Sequence, residues 1–176
     1  MKRFGGRVLF LDRSDINTDE IIPAKYLTAV DKQSLGPHLL EDLSLEGFSR
    51  EGPGFSEAGV IVTRANFGCG SSREHAVWAL EVNGITAVFA ESFARIFRRN
   101  MFNGGLPAVE LPSAAIEEIF GLAAGGSVRC EIDMETKSAV FSSDDGGRRE
   151  VEFSLAPFDE ALVVHGGWIE YADSRY

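Results

Sequence analysis

Residues 60–70 read Val60-Ile61-Val62-Thr63-Arg64-Ala65-Asn66-Phe67-Gly68-Cys69-Gly70, a β-branched run followed by a glycine turn. Such a run is typical of a strand that is buried on both faces. A helix is predicted from about residue 72 to residue 82, because Asn83-Gly84 is a common helix end. Residues 85–90 then predict a second strand and residues 92–101 a second helix. This order of elements is typical of a βαβ unit.

The flanking segments extend the alternation of strands and helices. Residues 31–43 predict a helix in their second half, since Leu39, Leu40 and Leu43 share one helical face. Residues 46–59 carry four glycines and a proline, which predicts a mobile loop and a candidate lid. Further apolar segments predict strands at 7–11 and 106–111 and a short amphipathic helix at 114–120.

The pattern changes to a two-residue period in the last third of the chain. Between residues 128 and 134, apolar and charged residues alternate, which is typical of a half-buried strand. Residues 138–142 and 151–155 repeat this pattern around a turn at 144–147, and residues 157–165 predict a short helix. We therefore expect one α/β domain over residues 1–176, with a β-rich second layer.

Composition excludes several classes of protein. The 176 residues are 44% hydrophobic and 25% charged, as in soluble globular proteins. The formal net charge of −10 argues against nucleic-acid binding, because an acidic surface repels phosphate backbones. No apolar run approaches the roughly 18 residues of a membrane span, and the first six residues lack the apolar stretch of a signal peptide. We expect a cytoplasmic protein that binds neither nucleic acid nor membranes.

The cysteines and histidines do not indicate a metal site. Cys69 and Cys130 are far apart, and the chain contains no CxxC, so neither a zinc site nor a disulfide framework is predicted. The three histidines are scattered without metal-ligand spacing. Two cysteines cannot supply the roughly three or four thiolates that an iron–sulfur cluster usually needs.

The densest group of reactive side chains lies in Asn66-Phe67-Gly68-Cys69-Gly70-Ser71-Ser72-Arg73-Glu74-His75. Ser71 and Glu74 fit a capping box, so one interpretation is simply a well-formed helix start. The other is an anion site, in which helix N–H groups and Arg73 bind a carboxylate. A serine hydroxyl at such a place could act as a base, because backbone N–H donors stabilise its alkoxide.

Competing motifs fit this segment less well. Gly70-Ser71-Ser72-Arg73 lacks the closing glycine of the hydrolase motif Gly-x-Ser-x-Gly, and no lysine follows the turn as in a phosphate-binding loop. We interpret His75 as a partly buried, hydrogen-bonded residue. Cys69 is interpreted as a small neutral filler of the turn.

Two further polar segments each allow two interpretations. Asn17-Thr18-Asp19-Glu20 predicts either a turn capped by its own side chains or a site in which Asp19 orients a catalytic partner group. Residues 91–100 carry three arginines, which predict either a solvated basic face or a surface that binds an acidic substrate or partner.

Together these segments resemble one family. Residues 66–75, then Ala90-Glu91-Ser92-Phe93-Ala94-Arg95-Ile96-Phe97, and upstream Asn17-Thr18-Asp19-Glu20-Ile21-Ile22-Pro23-Ala24, are similar to the small subunit of 3-isopropylmalate dehydratase. That subunit is similar to the swivelling C-terminal domain of aconitase. The resemblance implies a β/β/α swivelling domain and a hydro-lyase of leucine biosynthesis that is inactive without its large subunit. It also implies that the large subunit carries a [4Fe–4S] cluster and that this chain binds none.

The resemblance also implies roles for individual residues. Ser71 corresponds to the family's serine base and Arg73 to the arginine that binds a substrate carboxylate. Ser72 and Gly70 lie in the same substrate site. Asp19 is similar to an aspartate that pairs with a histidine of the large subunit.

The resemblance implies that the loop Lys25-Tyr26-Leu27-Thr28-Ala29-Val30 contacts the variable part of the substrate. Aconitase-like enzymes place an arginine in this region to bind the extra carboxylate of citrate, and this loop has none. We therefore expect Tyr26, Leu27 and Thr28 to contact substrate and an isopropyl group to be preferred. A hydrophobic pocket discriminates close homologues by only about 1–3 kcal/mol. Homoaconitase, dimethylmalate, methylcitrate-like and citramalate-type activities thus stay open, as does a non-catalytic carboxylate-binding module.

Overall fold

The computed structural model describes residues 3–176, so Met1 and Lys2 of the N-terminal segment lie outside the described chain. The strands are β1 Phe4–Leu11, β2 Ala58–Thr63, β3 Ala87–Ala90, β4 Ala108–Glu110, β5 Val128–Asp133, β6 Ser138–Ser143 and β7 Arg148–Glu152. The α-helices are α1 Thr18–Ile21, α2 Pro53–Ser56, α3 Glu74–Val82, α4 Arg95–Asn103, α5 Ser113–Gly121, α6 Pro157–His165 and α7 Trp168–Asp173. Short 3-10 helices span Ala24–Tyr26, Gln33–His38 and Leu122–Gly125.

The strands form one mixed sheet in the order β4-β3-β2-β1-β5-β6-β7. Strands β1 to β4 pair in parallel, which confirms the predicted βαβ arrangement. Strands β1, β5, β6 and β7 pair antiparallel, which confirms the β-rich character of the last third. Strand β1 lies at the centre and joins the two halves.

The sheet curls so that its two halves face each other. Phe89 lies on β3 and Phe141 on β6, four strand steps apart in the sheet order. In a flat sheet these strands would lie roughly 19 Å apart. The ring centroids are only 5.1 Å apart, and Phe153 also contacts Phe89 with a centroid distance of 6.3 Å. The curl creates two β layers, as expected for a β/β/α fold.

Burial follows the predicted difference between the two halves of the sheet. Every residue of β2 and β3 is buried, as expected for strands covered on both faces. In β5 the first four residues alternate between buried and exposed, beginning with Val128. Charged residues on the outer face of β5 therefore remain in solvent while Cys130 packs in the core.

The predicted helix in residues 31–43 is wrong. A 3-10 helix spans Gln33–His38 and contains Pro37, which cannot donate the hydrogen bond that an α-helix needs at this point. Leu40 then adopts a left-handed backbone with φ of 57°, so the chain turns. The leucines are nevertheless buried, because Leu39 and Leu40 are at most 1% exposed.

The predicted loop at 46–59 is partly regular. It contains α2 Pro53–Ser56, and β2 already begins at Ala58. Arg50 donates a hydrogen bond from Nε to the carbonyl of Leu39 at 3.0 Å, and the rings of Phe48 and Phe55 are in edge contact. The segment is thus tied to the body of the protein, and its role as a lid stays a prediction.

Two other predicted boundaries need correction, and one helix was not predicted. Strand β7 Arg148–Glu152 begins three residues before the predicted 151–155 strand, because Arg148 already pairs with Ser142 of β6. Helix α4 Arg95–Asn103 begins three residues after the predicted start at 92. Helix α7 Trp168–Asp173 was not predicted. The helix over 157–165 is confirmed by α6. Within residues 3–176, no helix combines the length and the apolar character that crossing a membrane requires.

Candidate active site

The three polar segments, far apart in sequence, meet through backbone hydrogen bonds. The N–H of Gly68 donates to the carbonyl of Ile16, and the N–H of Thr18 donates to the carbonyl of Cys69, both at 2.8 Å. These bonds form a short parallel ladder between residues 16–18 and 67–69. On its other side, Phe67 exchanges backbone bonds with residues 92 and 94, at 3.1 and 3.0 Å. The central turn is therefore held between the first and third segments.

Glycine is required in this turn for a steric reason. Gly68 has a φ of +83°, and a Cβ atom there would lie 2.2 Å from Cγ of Phe97. Any larger residue would collide with a ring in the core as well as strain the backbone. Gly70 also has a positive φ, +94°, but an added Cβ would come no closer than 3.6 Å to Thr18 or Asn17. Close packing of the turn on α4 thus depends on Gly68.

Arg73 connects the two other residues that the sequence predicts as catalytic. Its Nη1 donates to Oδ1 of Asp19 at 2.7 Å, and its Nη2 donates to Oγ of Ser71 at 3.3 Å. Ser71 and Ser72 are exposed, whereas the Arg73 side chain is only 24% exposed. The structure therefore brings Ser71, Arg73 and Asp19 together at the surface, with the guanidinium between the hydroxyl and the carboxylate.

The predicted capping box of Ser71 and Glu74 is wrong. Helix α3 begins at Glu74, and the capping position is Arg73, whose backbone is extended with φ of −122° and ψ of 126°. Within the described chain, no side-chain hydrogen bond caps this helix. The positive φ of Gly70 and the extended Arg73 keep residues 70–73 out of the helix. Ser71 therefore lies outside α3, and its polar contact is the Arg73 guanidinium.

The first polar segment forms the predicted turn capped by its own side chains, and a role of Asp19 in orienting a catalytic group stays a prediction. Asn17 caps α1 by accepting the N–H of Glu20 at 3.0 Å, and Glu20 accepts the N–H of Asn17 at 3.2 Å. This reciprocal capping uses the side chains on either side of Thr18 and Asp19. Asp19 is left exposed and directed to Arg73. Thr18 is 1% exposed, and its hydroxyl has no hydrogen-bond partner among residues 3–176.

The predicted substrate loop lies beside the start of α3. The carbonyl of Ala29 accepts a hydrogen bond from Nε2 of His75 at 3.2 Å. His75 is half-buried, which confirms its interpretation as a hydrogen-bonded structural residue. Thr28 is exposed, Leu27 is half-buried, and Val30 is 94% exposed.

Tyr26 already has a partner for its hydroxyl. It donates to Oε2 of Glu41 at 2.8 Å, and its ring stacks on His38 with a centroid distance of 3.8 Å. The hydrogen bond to Glu41 raises the pKa of Tyr26 and lowers the pKa of Glu41. The phenol is thus protonated at neutral pH and anchors the loop to residue 41.

Cys69 is not poised as a nucleophile. Burial, reinforced by the nearby Asp15 carboxylate, raises the pKa of the Cys69 thiol. Burial also raises the pKa of Cys130 in the core, and both cysteines are free thiols. These observations agree with Cys69 as a neutral filler. Over residues 3–176, no group of three or more His, Cys, Asp and Glu side chains is placed to hold a metal ion.

The arginines of the third segment have different environments. Arg98 donates to the carbonyl of Ala108 at 3.1 Å and forms an ion pair with Glu110 at 3.7 Å. Arg95 and Arg99 are exposed and line a cavity of about 390 Å³ between α4 and α6. Both interpretations of this basic segment stay predictions.

The sequence did not predict a contact between Asp15 and Asn66 beside the site. Asp15 and Asn66 both have left-handed backbones, with φ of 59° and 57°. Nδ2 of Asn66 donates to Oδ1 of Asp15 at 2.9 Å. The available signal was that Asn and Asp adopt positive φ more readily than other residues with a side chain.

Comparison with known proteins first defines a class. Residues 55–114 match the aconitase C-terminal domain family, and this stretch includes the glycine turn, α3 and α4. Together with the curled sheet, the match assigns the chain to the aconitase-type swivelling domains. The similarity extends well beyond this stretch. The chain is 38% identical to the 3-isopropylmalate dehydratase small subunit of Thermodesulfovibrio yellowstonii, covering 92% of this chain and 89% of that protein.

A second relative and a solved structure show similarity to the same family. The chain is 41% identical to 3-isopropylmalate dehydratase small subunit 2 of Deinococcus radiodurans, covering 90% of this chain and 71% of that protein. The crystal structure of 3-isopropylmalate dehydratase from Methanocaldococcus jannaschii matches with a TM-score of 0.78 at 31% identity. That match covers 99% of this chain and 95% of the other. The chain belongs to the family of 3-isopropylmalate dehydratase small subunits.

Proposed function

We propose that this chain is the small subunit of a hydro-lyase that interconverts 2-isopropylmalate and 3-isopropylmalate in leucine biosynthesis. Family membership supports the reaction, and the Arg73 guanidinium between Ser71 and Asp19 is the structural observation that carries the proposal. Like its relatives, the chain acts together with a large subunit. We infer a cytoplasmic enzyme whose ligand is a small 2-hydroxy acid.

In this proposal Ser71 is the base and Arg73 the carboxylate receptor. Ser71, as the alkoxide, takes a proton from the carbon next to a carboxylate, and the C–H electron pair forms the double bond as hydroxide leaves. Water then adds back with the opposite orientation. The hydroxyl joins the carbon that lost the proton, and a proton joins the carbon that lost the hydroxyl, which gives the isomer. Arg73 binds the carboxylate through its fork and stabilises the negative charge that grows there. Its contact with Ser71 also favours the alkoxide.

Departure of the hydroxyl needs a Lewis acid, and the residues of this chain do not fit one. Cys130 is buried in β5, and Cys69 holds a neutral thiol in a turn. Two cysteines cannot hold an iron–sulfur cluster of the usual kind. We therefore assign the [4Fe–4S] cluster to the large subunit, where its iron would supply the Lewis acid.

The exposure of the site supports a two-chain enzyme. A serine alkoxide requires a site from which water is excluded, yet Ser71 and Ser72 are exposed in this chain. A large subunit that covers this surface would exclude water. One carboxylate oxygen of Asp19 is used by Arg73, and the other is available to a histidine of that subunit.

The substrate loop favours an apolar substituent. Residues 25–30 contain no arginine that could bind a third carboxylate, and Val30 and Leu27 offer apolar surface. We propose that Leu27, Thr28 and Tyr26 contact the isopropyl side of the substrate, with Ser72 and Gly70 next to its carboxylate. Isopropylmalate is therefore preferred over citrate and homocitrate.

Co-expression with a large subunit tests the function. We expect the complex to dehydrate isopropylmalate, followed by the ultraviolet absorbance of the alkene intermediate, and each isolated subunit to be inactive. Ser71→Ala should lower kcat by about 10²–10⁴-fold, the usual contribution of a general base. Ser142→Ala, at an exposed serine on β6, is the matched control and should leave kcat unchanged.

Several outcomes would contradict parts of the proposal. Full activity of Ser71→Ala would exclude this serine as the base, and activity of the lone chain would exclude the two-chain scheme. A complex that binds dicarboxylates without turning them over would support a carboxylate-binding module. Citramalate, dimethylmalate, methylcitrate and homocitrate, offered in competition, would reveal a different substrate preference.

A further inference from the structure

Two residues with a left-handed backbone lie side by side, one just before the first polar segment and one at the start of the second. In the described part of the chain, four residues other than glycine have a positive φ, and two of them are Asp15 and Asn66. A left-handed backbone is unfavourable for residues with a side chain, although Asp and Asn adopt it more readily than the others. These two residues also bond to each other, since Asn66 Nδ2 donates to Asp15 Oδ1 at 2.9 Å. Strain and pairing at one point suggest a specific task.

Asp15 and Asn66 lie at the start of the short backbone ladder that joins the two segments of the site. The N–H of Asp15 donates to the carbonyl of Ala65 at 2.9 Å, and the bonds of Gly68 and Thr18 follow directly. The backbone N–H of Asn66 donates to Oγ of Ser92 at 2.8 Å. Asn66 therefore connects its own segment to Asp15, just before the first polar segment, and to Ser92 of the third.

The ladder ends next to both functional side chains. Thr18, which donates the last bond to Cys69, immediately precedes Asp19. On the other strand, a single residue separates Cys69 from Ser71. With so little chain between the last bond and each side chain, a shift of the ladder is transmitted to the distance between Ser71 and Asp19.

We propose that Asp15 and Asn66 are positioning residues that set the register of this ladder and thereby place Ser71 opposite Asp19. The inference rests on the proposed function, because it gives Ser71 and Asp19 catalytic tasks. The hydrogen bond between the two side chains fixes Asp15 opposite Asn66. This alignment allows the backbone bonds of Gly68 and Thr18 to form with their observed partners. Neither residue touches the substrate in this scheme.

An exchange of the two side chains tests the pair. Asn66→Asp places two carboxylates against each other and removes the donor. Combining it with Asp15→Asn restores one donor and one acceptor, and both residue types tolerate positive φ. Asp15→Asn alone keeps an amide oxygen that can accept the bond. Asn66→Gly suits the backbone but deletes the amide, and it serves if Asn66→Asp does not fold.

In the complex with the large subunit, we expect Asn66→Asp and Asn66→Gly to lower kcat about 10- to 100-fold, because misplacement by about 1 Å can cost this much. KM should change less. The exchanged double variant and Asp15→Asn should both return to within about threefold of the wild-type kcat, since each keeps the bond. Asn103→Asp, which adds a carboxylate at an exposed asparagine of α4, is the control and should be unaffected.

A second measurement does not depend on activity. In the isolated chain, hydrogen exchange at the amides of Gly68 and Thr18 should be faster in Asn66→Asp and return to the wild-type rate in the double variant. Wild-type kcat together with wild-type exchange in both Asn66 variants would overturn the inference. Failure of the double variant to recover would overturn it as well. If the wild-type complex is inactive on isopropylmalate, the proposed function fails, while the exchange rates still decide on the pair.

Discussion

Arg73 and Asp19 form an ion pair at 2.7 Å in the chain by itself, on the surface where we propose that the substrate binds. The Asp19 side chain is 61% exposed, and ion pairs with such exposure contribute little to stability. A substrate carboxylate can therefore join or displace Asp19 at Arg73 without a large cost. The pair orients the guanidinium before the substrate arrives, while the second amino group stays at Ser71.

Arg73→Lys should separate the contribution of the guanidinium geometry from that of the positive charge. A lysine keeps the positive charge but cannot reproduce the planar fork that contacts Asp19 and Ser71 together. We expect kcat/KM of the complex to fall about 100-fold, with KM raised, from the loss of charge-assisted bonds. Steady-state kinetics on isopropylmalate measures both parameters.

Arg64→Lys is the matched control for this substitution. Arg64 also bridges two side chains, the carboxylates of Asp12 and Glu117, but no hydrogen bond joins it to Ser71. We expect its kcat/KM to stay within about threefold of the wild type, because the ion pairs of Arg64 are with Asp12 and Glu117, outside the proposed site. Equal effects of the two substitutions would show that Arg73 has no special role in the site.

Gly68→Ala should unfold the turn that carries the site. The added Cβ would lie 2.2 Å from the ring of Phe97, and the backbone φ of +83° is unfavourable for alanine. We expect the free energy of unfolding to fall by about 3 kcal/mol or more, measured by urea denaturation. Gly84→Ala has nearly the same φ, +80°, but open space around the Cβ, and should cost only about 1 kcal/mol. Equal losses would show that the contact with Phe97 is unimportant.

The sequence predicted most of the sheet because buried strands have a characteristic pattern of apolar residues. The run Val60-Ile61-Val62 is buried on both faces, and the alternation around Cys130 corresponds to a half-buried strand. It could not predict the helix start at Glu74. The local pattern of Ser71 and Glu74 favours a capping box, but the contact of Arg73 with Asp19, more than fifty residues away, belongs to tertiary structure.

The resemblance predicts Ser71, Arg73 and Asp19 as site residues, and the structure shows how these three side chains come together. Their meeting depends on the ladder between residues 16–18 and 67–69, which has no sequence signal of its own. The same holds for the pairing of Asp15 with Asn66, because single turn residues do not show which distant residue they contact. Helix α7 was missed because glycines precede it and it is short.

Cys130 should make stability depend on alkaline pH. Burial raises its pKa in the folded protein above the roughly 8.5 of an exposed cysteine. The folded state keeps this proton while the unfolded chain releases it, so the contribution is fully present below about pH 8.5 and is lost as the pH rises toward the folded-state pKa. We expect the free energy of unfolding to fall by up to about 1.4 kcal/mol per pH unit from this group.

Two variants isolate this contribution in urea denaturation series between about pH 8 and pH 10. Cys130→Ala should remove this part of the slope. Val128→Ala, also in buried β5, should lower stability at every pH and keep the wild-type slope. Identical slopes for all three proteins would contradict a protonated, buried Cys130.

The two thiols should also differ in their reaction with iodoacetamide. Because the thiolate is the reactive form, the raised pKa of Cys69 should make its alkylation at about pH 8 slower than in the urea-unfolded chain. Cys130 is 2% exposed and should react only after unfolding. Mass spectrometry of peptides that contain each cysteine gives both rates, and Cys69→Ala should keep the activity of the complex. Alkylation of Cys69 faster than in the unfolded chain would mean that the turn activates this thiol rather than enclosing it as a neutral filler.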